Sequence, residues 1–198
     1  MLPVKKYMSF FCQFLRVKEW YPSKIPFAMC YLWFVYMQRG IEDMGQFAVV
    51  NILSMIFLGC FLAFSYMIND FSDIEVDKSA GKKKVICSQS KGTVIGWLIG
   101  LFLGGCAPLL CYQHLDVSLG MMLLLTYFLG YAYSMKPFRF KERGLIGLIE
   151  CSVAQRCMPV IVIWMLIGGD RNIFLLFLLI SFFMGLRYIF IHQIIDIE

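Results

Sequence analysis

Charged residues are scarce in this sequence. Of its 198 residues, 16% are charged and 60% are hydrophobic, whereas soluble domains average about 25% charged residues. This shortage excludes an ordinary soluble domain. The apolar residues instead occur in runs of the length that crosses a bilayer, which is typical of a protein that spans the membrane several times.

Zinc-binding patterns are also missing. The chain has two histidines and eight cysteines, but no two cysteines form a CxxC pair and no cysteine–histidine group has zinc spacing. We therefore expect the cysteines to act mainly as small buried fillers. No cleavable signal peptide is predicted, because the short apolar run near the start lacks a small-residue cleavage site.

Six apolar segments predict six transmembrane helices in a single domain that covers residues 1–198. The fold class is therefore an all-α, polytopic transmembrane helix bundle. Residues 5–20 mix apolar and basic side chains and predict a helix lying at the membrane interface. The approximate spans are 25–37, 47–68, 93–112, 117–135, 145–168 and 172–195.

Small and helix-bending residues within these spans predict how the helices pack. Gly96, Gly100 and Gly104 repeat every four residues in the third span, and such a stripe favours close helix contact. Pro108 and Pro159 lie inside spans and are expected to bend their helices.

Lysine and arginine are concentrated in three segments, which fixes the expected orientation. These are the N-terminal segment, the loop after the second span and the loop after the fourth span; the other three loops contribute only Arg39 and Arg171. Positive residues favour the cytoplasmic side. We therefore predict that the N-terminus, both basic loops and the C-terminus are cytoplasmic.

Carboxylates cluster where the second apolar segment ends, in the stretch YMINDFSDIEVDKSAGKKK (66–84). Asn69, Asp73 and Asp77 are four residues apart, and Asp70 lies seven before Asp77. If the helix continues, these side chains share one broad face, whereas Glu75 points away. Such a set of hard oxygen ligands suits Mg²⁺, which commonly bridges to substrate phosphates.

Basic and hydroxyl residues next to this cluster predict a polyphosphate site. Lys82, Lys83 and Lys84 follow the acidic residues directly, and ammonium groups complement phosphate oxygens. Ordinary solvated lysines of a cytoplasmic loop are the alternative for these three. The second basic loop offers further groups on the same side of the membrane: Tyr133, Ser134, Lys136, Arg139, Lys141 and Arg143.

Ionisable residues also occur in the last two spans. Glu150 and Arg156 fall in the fifth span, and an intramembrane ionisable residue is by default a functional candidate. In the sixth span, Arg187 and the pair His192 and Asp196 have roles that the sequence leaves open. Asp196 ends that span at the depth of Asp77, so two acidic groups facing one cavity could hold two Mg²⁺ ions around a diphosphate.

Two stretches resemble motifs of the UbiA superfamily of membrane prenyltransferases. The first motif of that family, NDxxDxxxD, is similar to NDFSDIEVD (69–77), and its YSxxPxRxK element is similar to YSMKPFRFK (133–141). The final DIE (196–198) resembles the start of the family's second motif, DxxxD. The resemblance covers about the first two-thirds of a typical member, so we expect the chain to be truncated, as a fragment or naturally.

The resemblance implies an activity, a cofactor and a set of site residues. The activity would be Mg²⁺-dependent transfer of an isoprenyl group from a prenyl diphosphate to a lipophilic acceptor through an allylic carbocation. Asp70, Asp73 and Asp77 would be catalytic, and Asn69, Asp73, Asp77 and Asp196 would bind two Mg²⁺ ions. The residues implied in diphosphate binding are Lys82, Lys83, Lys84, Tyr133, Ser134 and Lys141. The expected partners are these substrates and the lipid bilayer, with no nucleic acid; the oligomeric state stays open.

Three alternatives remain beside this interpretation. Within the same superfamily, the transferred group could be phosphoribosyl and the acceptor a polyprenyl phosphate. A CDP-alcohol phosphotransferase is also a six-span enzyme rich in aspartate, but its DGxxAR signature is absent from this sequence. The chain could also be a non-catalytic, truncated membrane protein.

Overall fold

The structure is a computed structural model that describes residues 10–81 and 84–195. Side chains are described up to Ile191. This part of the chain is mainly helical and has no strand. The helices are α1 (Val17–Arg39), α2 (Met44–Ser72), α3 (Ile74–Ser79), α4 (Lys91–Tyr112), α5 (Val117–Ser134), α6 (Leu145–Ile167) and α7 (Arg171–Ile195).

Five of these helices are long and apolar enough to cross a membrane: α2, α4, α5, α6 and α7. They coincide with the second to sixth predicted spans. The first predicted span, 25–37, lies inside α1, which is not among the five. Lys18, Glu19 and Lys24 lower the hydropathy of α1, and its two internal prolines are Pro22 and Pro26. The all-α membrane bundle is therefore confirmed, with α1 as its least apolar long helix.

The helices are arranged as a bundle around α2. This helix packs against α1, α4 and α5, and its buried face includes Phe57, Phe61 and Met67. Each of α2, α4 and α5 begins at a polar cap residue, Asp43, Ser90 and Asp116 respectively, whose side chain accepts backbone N–H bonds of the first turn. Such caps stabilise helix starts.

The glycine stripe of α4 packs differently from the prediction. Gly96 and Gly100 have no neighbour where a Cβ would lie, so the prediction is wrong for them, whereas Gly104 lies beside Cys60 of α2. The closest approach is one residue further on. A Cβ on Gly105 would collide with the hydroxyl of Tyr127 and lie 3.1 Å from Cys60 Cβ. The face of α4 that touches its neighbours is thus rotated from the stripe.

A π-helical turn at Val153–Cys157 interrupts α6. Pro159 follows it, and because proline lacks an N–H, the helix cannot form the usual bond back to the carbonyl of Gln155. Instead, the N–H of Met158 bonds to the carbonyl of Val153, five residues earlier. This single turn presents two consecutive residues, Gln155 and Arg156, to α1. Wide turns of this kind frequently occur at functional sites.

Candidate active site

The acidic stretch lies where α2 ends and the chain bends. Helix α2 ends at Ser72, and Asp73 sits between α2 and α3 with its N–H bonded to the carbonyl of Asp70 (3.3 Å). The helix therefore does not continue unbroken to Asp77, which was the condition for a single shared face. The four polar residues form two adjacent pairs that contact different lysines, Asn69 with Asp73 and Asp70 with Asp77.

Asp70 and Asp77 form the first pair, and both are 4% exposed. The ammonium group of Lys84 lies between them, 2.6 Å from Asp70 Oδ1 and 2.7 Å from Asp77 Oδ2. Arg16 approaches Asp70 from α1's side at 3.0 Å and also pairs with Glu19. Glu75, by contrast, is exposed, as the sequence predicted.

Asn69 and Asp73 form the second pair, and they face the loop after α5. Lys141 Nζ lies 2.5 Å from Asp73 Oδ1 and 3.1 Å from Asn69 Oδ1, and it also donates to Ser72 Oγ at 2.9 Å. The buried hydroxyl of Ser134 donates to Asn69 Oδ1 at 3.2 Å. The two sequence motifs, separated by two helices, thus form one site.

The loop that carries Lys141 reaches this position through a tight local structure. Helix α5 ends at Ser134, Arg139 has a left-handed backbone (φ 42°), and a 3₁₀ turn follows at Phe140–Glu142. Arg139 contacts Asp73 at 3.4 Å and Glu142 at 2.6 Å. The loop therefore folds back under α2, and two of its cations point at the same carboxylate.

Electrostatics explain how buried carboxylates are tolerated here. Burial opposes the charged form of Lys84, but its hydrogen bonds to Asp70 and Asp77 outweigh burial and raise its pKa above the ordinary value of 10.5. Burial likewise opposes the charge of Arg16, and its contacts with Glu19 and Asp70 raise its pKa. Both cations therefore stay charged at neutral pH and balance the aspartates.

The donor set suits Mg²⁺ in its chemistry. Three carboxylates and one amide supply hard oxygen ligands, the type that Mg²⁺ prefers. A lysine ammonium group lies between the oxygen atoms of each pair: Lys84 in the first pair and Lys141 in the second. Among the described residues, no three acidic, histidine or cysteine side chains converge on one point. The oxygen donors therefore occur as two separate pairs rather than as one cluster.

A cavity of about 240 Å³ opens beside the first pair. Its lining combines both signs of charge with apolar side chains, so it could accept a group that is partly anionic and partly apolar. The lining residues are Gln13, Phe14, Arg16, Glu19, Asp70, Lys84, Val85 and Ile86.

The remaining predicted site residues are distributed as follows. Tyr133 is half-buried, and the Cys151 side chain of α6 is among its neighbours. Arg187 is exposed on α7. Lys82, Lys83, Asp196 and the side chain of His192 lie outside the described residues.

Two members of the site, Arg16 and Arg139, were not in the predicted metal-binding or diphosphate-binding sets. Arg16 appeared in the sequence only as a member of a positively charged segment. Nothing in the sequence distinguished Arg16 from Lys18, although Arg16 reaches Asp70 and Lys18 is exposed. Arg139 does match the arginine of the second motif, and that match was the available signal.

Comparison with known proteins identifies the family. A family model described as the UbiA prenyltransferase family matches residues 26–198, a range that contains both motifs and helices α2 to α7 in full. No curated protein and no solved structure gives a significant match. With five apolar helices of spanning length, the chain is an integral membrane protein, and it belongs to the UbiA prenyltransferase family.

Proposed function

We propose that this chain catalyses Mg²⁺-dependent transfer of an isoprenyl group from a prenyl diphosphate to a lipophilic acceptor. The observation that carries the proposal is the position of Lys141, which reaches Asn69 and Asp73 from the other motif. Carboxylates and cations that converge at a bundle end are suited to a metal-bound diphosphate. Family membership supports the general class of reaction.

The aspartates and the amide are assigned to the metal. Asn69 and Asp73 would hold one Mg²⁺, and Asp77 with Asp70 beside it would contribute to a second, to which Asp196 is also assigned. Bound Mg²⁺ would supply charge neutralisation for the departing diphosphate. For this to happen, the ammonium groups of Lys84 and Lys141 must move from between the oxygens towards the phosphates.

The cations and hydroxyls are assigned to the diphosphate. Lys84 and Lys141 are close enough to the aspartates to contact a ligand bound there, and Ser134 lies beside Asn69. Tyr133, Lys82 and Lys83 complete the proposed set. Donors aimed at the leaving group stabilise the charge that develops as the allylic C–O bond ionises. The aromatic-rich bundle would shield the resulting cation from water.

The orientation is part of the proposal. Arg16, Lys84 and Lys141 come from the three basic segments, and all contact the acidic stretch at one end of the bundle. Arg39 lies at the other end, where it donates to the carbonyl of Ile167. By the positive-inside rule, we place the acidic site and the N-terminus in the cytoplasm.

The test is a diphosphate-release assay with the purified protein, Mg²⁺, prenyl diphosphates and a panel of acceptors. Asp73→Asn is expected to reduce product formation by about 100-fold or more, since it removes a charge at the proposed metal. Glu75→Gln is the matched control, because Glu75 is an exposed acid in the same stretch. Equal activity of Asp73→Asn and wild type would refute the metal assignment.

The same assay separates the alternatives. Adding a polyprenyl phosphate with phosphoribosyl diphosphate tests the phosphoribosyl branch of the family. Absence of turnover with every donor, in a protein that is folded and binds Mg²⁺, would favour a non-catalytic membrane protein.

A further inference from the structure

Two buried cations, Lys24 and Arg156, lie where α1 meets α6. Lys24 is 5% exposed and Arg156 is 6% exposed. We propose that Lys24 and Arg156, with Gln155 and Tyr66, form a second anion-binding subsite that takes a phosphate or carboxylate group of a substrate. The proposal rests on the proposed function only for the identity of that molecule as a substrate.

Lys24 is held by neutral partners. Its ammonium group donates to Tyr66 Oη at 3.0 Å and to Gln155 Oε1, and it also lies 4.6 Å from the centre of the Tyr66 ring. These contacts orient the ammonium but do not neutralise its charge. Lysine is almost never fully buried unless it is paired.

Arg156 is held in a similar way. Its Nη1 donates to the backbone carbonyl of Ser23 at 2.6 Å, and its guanidinium lies 5.9 Å from the centre of the Tyr188 ring. The remaining guanidinium N–H groups have no described acidic acceptor. Consecutive residues of an ordinary α-helix point about 100° apart. The π turn of α6 lets both Gln155 and Arg156 contact α1.

Arg156 and Arg16 both oppose the positive charge of Lys24, whereas Glu19, which pairs with Arg16, favours that charge from a distance without contacting Lys24. In the described part of the chain, neither Lys24 nor Arg156 forms an ion pair with a carboxylate. Burying two like charges without a counter-ion is costly in a membrane bundle. A bound oxyanion would remove that cost, because it would accept charge-assisted hydrogen bonds from both groups.

The subsite is connected to the acidic site through Tyr66. This residue lies one turn before Asp70 on α2, and its ring contacts both Arg16 (5.1 Å) and Lys24 (4.6 Å). Arg16 in turn pairs with Asp70. When one substrate is bound at the acidic site, Lys24 and Arg156 could therefore bind an anionic group of the second substrate or another anionic group of the same molecule.

The experiment measures anion binding by the purified full chain in detergent, with inorganic phosphate and benzoate as probes. Titrations are done by calorimetry at constant ionic strength, with the acidic site first saturated with Mg²⁺ and pyrophosphate. Lys24→Gln and Arg156→Gln are each expected to weaken binding of the preferred probe at least tenfold. Lys18→Gln, an exposed lysine of the same helix, is expected to have no effect.

Unchanged probe affinity in both Gln variants would overturn the proposal. Preference for phosphate would indicate a phosphate-bearing substrate, and preference for benzoate would indicate an aromatic acid; either supports the subsite. If wild type fails to bind Mg²⁺ and pyrophosphate yet binds a probe that the Gln variants lose, the proposed function fails while the subsite stands.

A second measurement covers variants that fail to fold. In wild type, the preferred probe should raise the thermal unfolding midpoint more than chloride does at equal ionic strength. Lys24→Arg and Arg156→Lys keep the charges and should retain most of this stabilisation. If neither probe exceeds chloride in wild type, the subsite does not exist.

Discussion

Lys141 Nζ lies 2.5 Å from Asp73 Oδ1, although the two residues are 68 positions apart. The contact joins the loop after α5 to the end of α2, and thereby unites the two motifs in one site. Such charge-assisted bonds are among the stronger side-chain contacts. The side chain of Lys141 is only 13% exposed. We therefore expect its replacement to weaken substrate binding and to lower the turnover rate.

Replacing Lys141 with Gln should lower kcat/KM by about 100-fold, the usual loss when one donor to a developing negative charge is removed. The measurement is steady-state diphosphate release. Lys136→Gln is the control, because Lys136 is an exposed lysine of the same loop and should leave kcat/KM unchanged. Equal kinetics of the two variants would contradict a role for Lys141.

Replacing Lys84 with Gln should strengthen the binding of Mg²⁺ alone. Lys84 lies between Asp70 and Asp77 and so competes with a metal for the same oxygens. Removing it should lower the Mg²⁺ dissociation constant about five- to tenfold, equivalent to roughly 1 kcal/mol. Pyrophosphate binding in the presence of Mg²⁺ should become weaker, since a phosphate contact is lost.

Calorimetric titration with Mg²⁺, with and without pyrophosphate, tests this pair of opposite effects. Lys91→Gln serves as the reference, because Lys91 is exposed at the start of α4. Weaker Mg²⁺ binding in Lys84→Gln, without any ligand, would show that Lys84 does not occupy the metal position.

The stability that Lys84 contributes should disappear at alkaline pH. Its folded-state pKa is raised above 10.5, since its hydrogen bonds to two aspartates outweigh burial. A raised pKa stabilises the fold fully below the unfolded value, and that stabilisation is lost as the pH rises through the folded value. The difference in unfolding midpoint between wild type and Lys84→Gln should therefore be constant from about pH 7 to pH 10 and shrink above that range.

Thermal unfolding of both proteins in detergent, over that pH series, provides the measurement. Other groups titrate equally in the two proteins, so only the difference is interpreted. If the difference in unfolding midpoint between the two proteins instead grows above pH 10.5, Lys84 does not stabilise the fold through its charged form.

Gly105 should be far less tolerant of substitution than Gly100. A Cβ on Gly105 would collide with Tyr127, whose hydroxyl donates to the carbonyl of Leu101 at 3.1 Å, whereas nothing lies within 4 Å of a Cβ on Gly100. Gly105→Ala should destabilise the bundle by about 1–3 kcal/mol, as overpacking does. Gly100→Ala should be neutral or stabilising by up to roughly 1 kcal/mol. Unfolding midpoints in detergent that rank the two variants the other way would contradict this packing.

Much of the fold was predictable because lipid imposes one strong rule. A spanning helix must be long and apolar, so the second to sixth spans could be located directly from hydropathy. The first predicted span, 25–37, is short and contains Pro26, and Lys24, which directly precedes it, is buried in α1 against neighbours on α2 and α6. Burial of a charge depends on contacts between helices, which local composition does not contain.

The glycines of α4 show the same limit at the level of packing. Their spacing predicted a contact stripe, yet Gly96 and Gly100 are open and Gly105 forms the close approach. Spacing identifies residues on a common face but not the direction in which that face points. That direction is set by the large side chains opposite, here Tyr127.

The sequence by itself determined the membrane-spanning class, the two motifs and the likeness to a prenyltransferase family, because these depend on composition and on short-range spacing. Only the tertiary structure decided which cation meets which carboxylate. It divided the acidic residues into two pairs, added Arg16 and Arg139 to the site, and brought Lys24 and Arg156 together. These pairings join residues far apart in the chain, and helix packing alone fixes such distances.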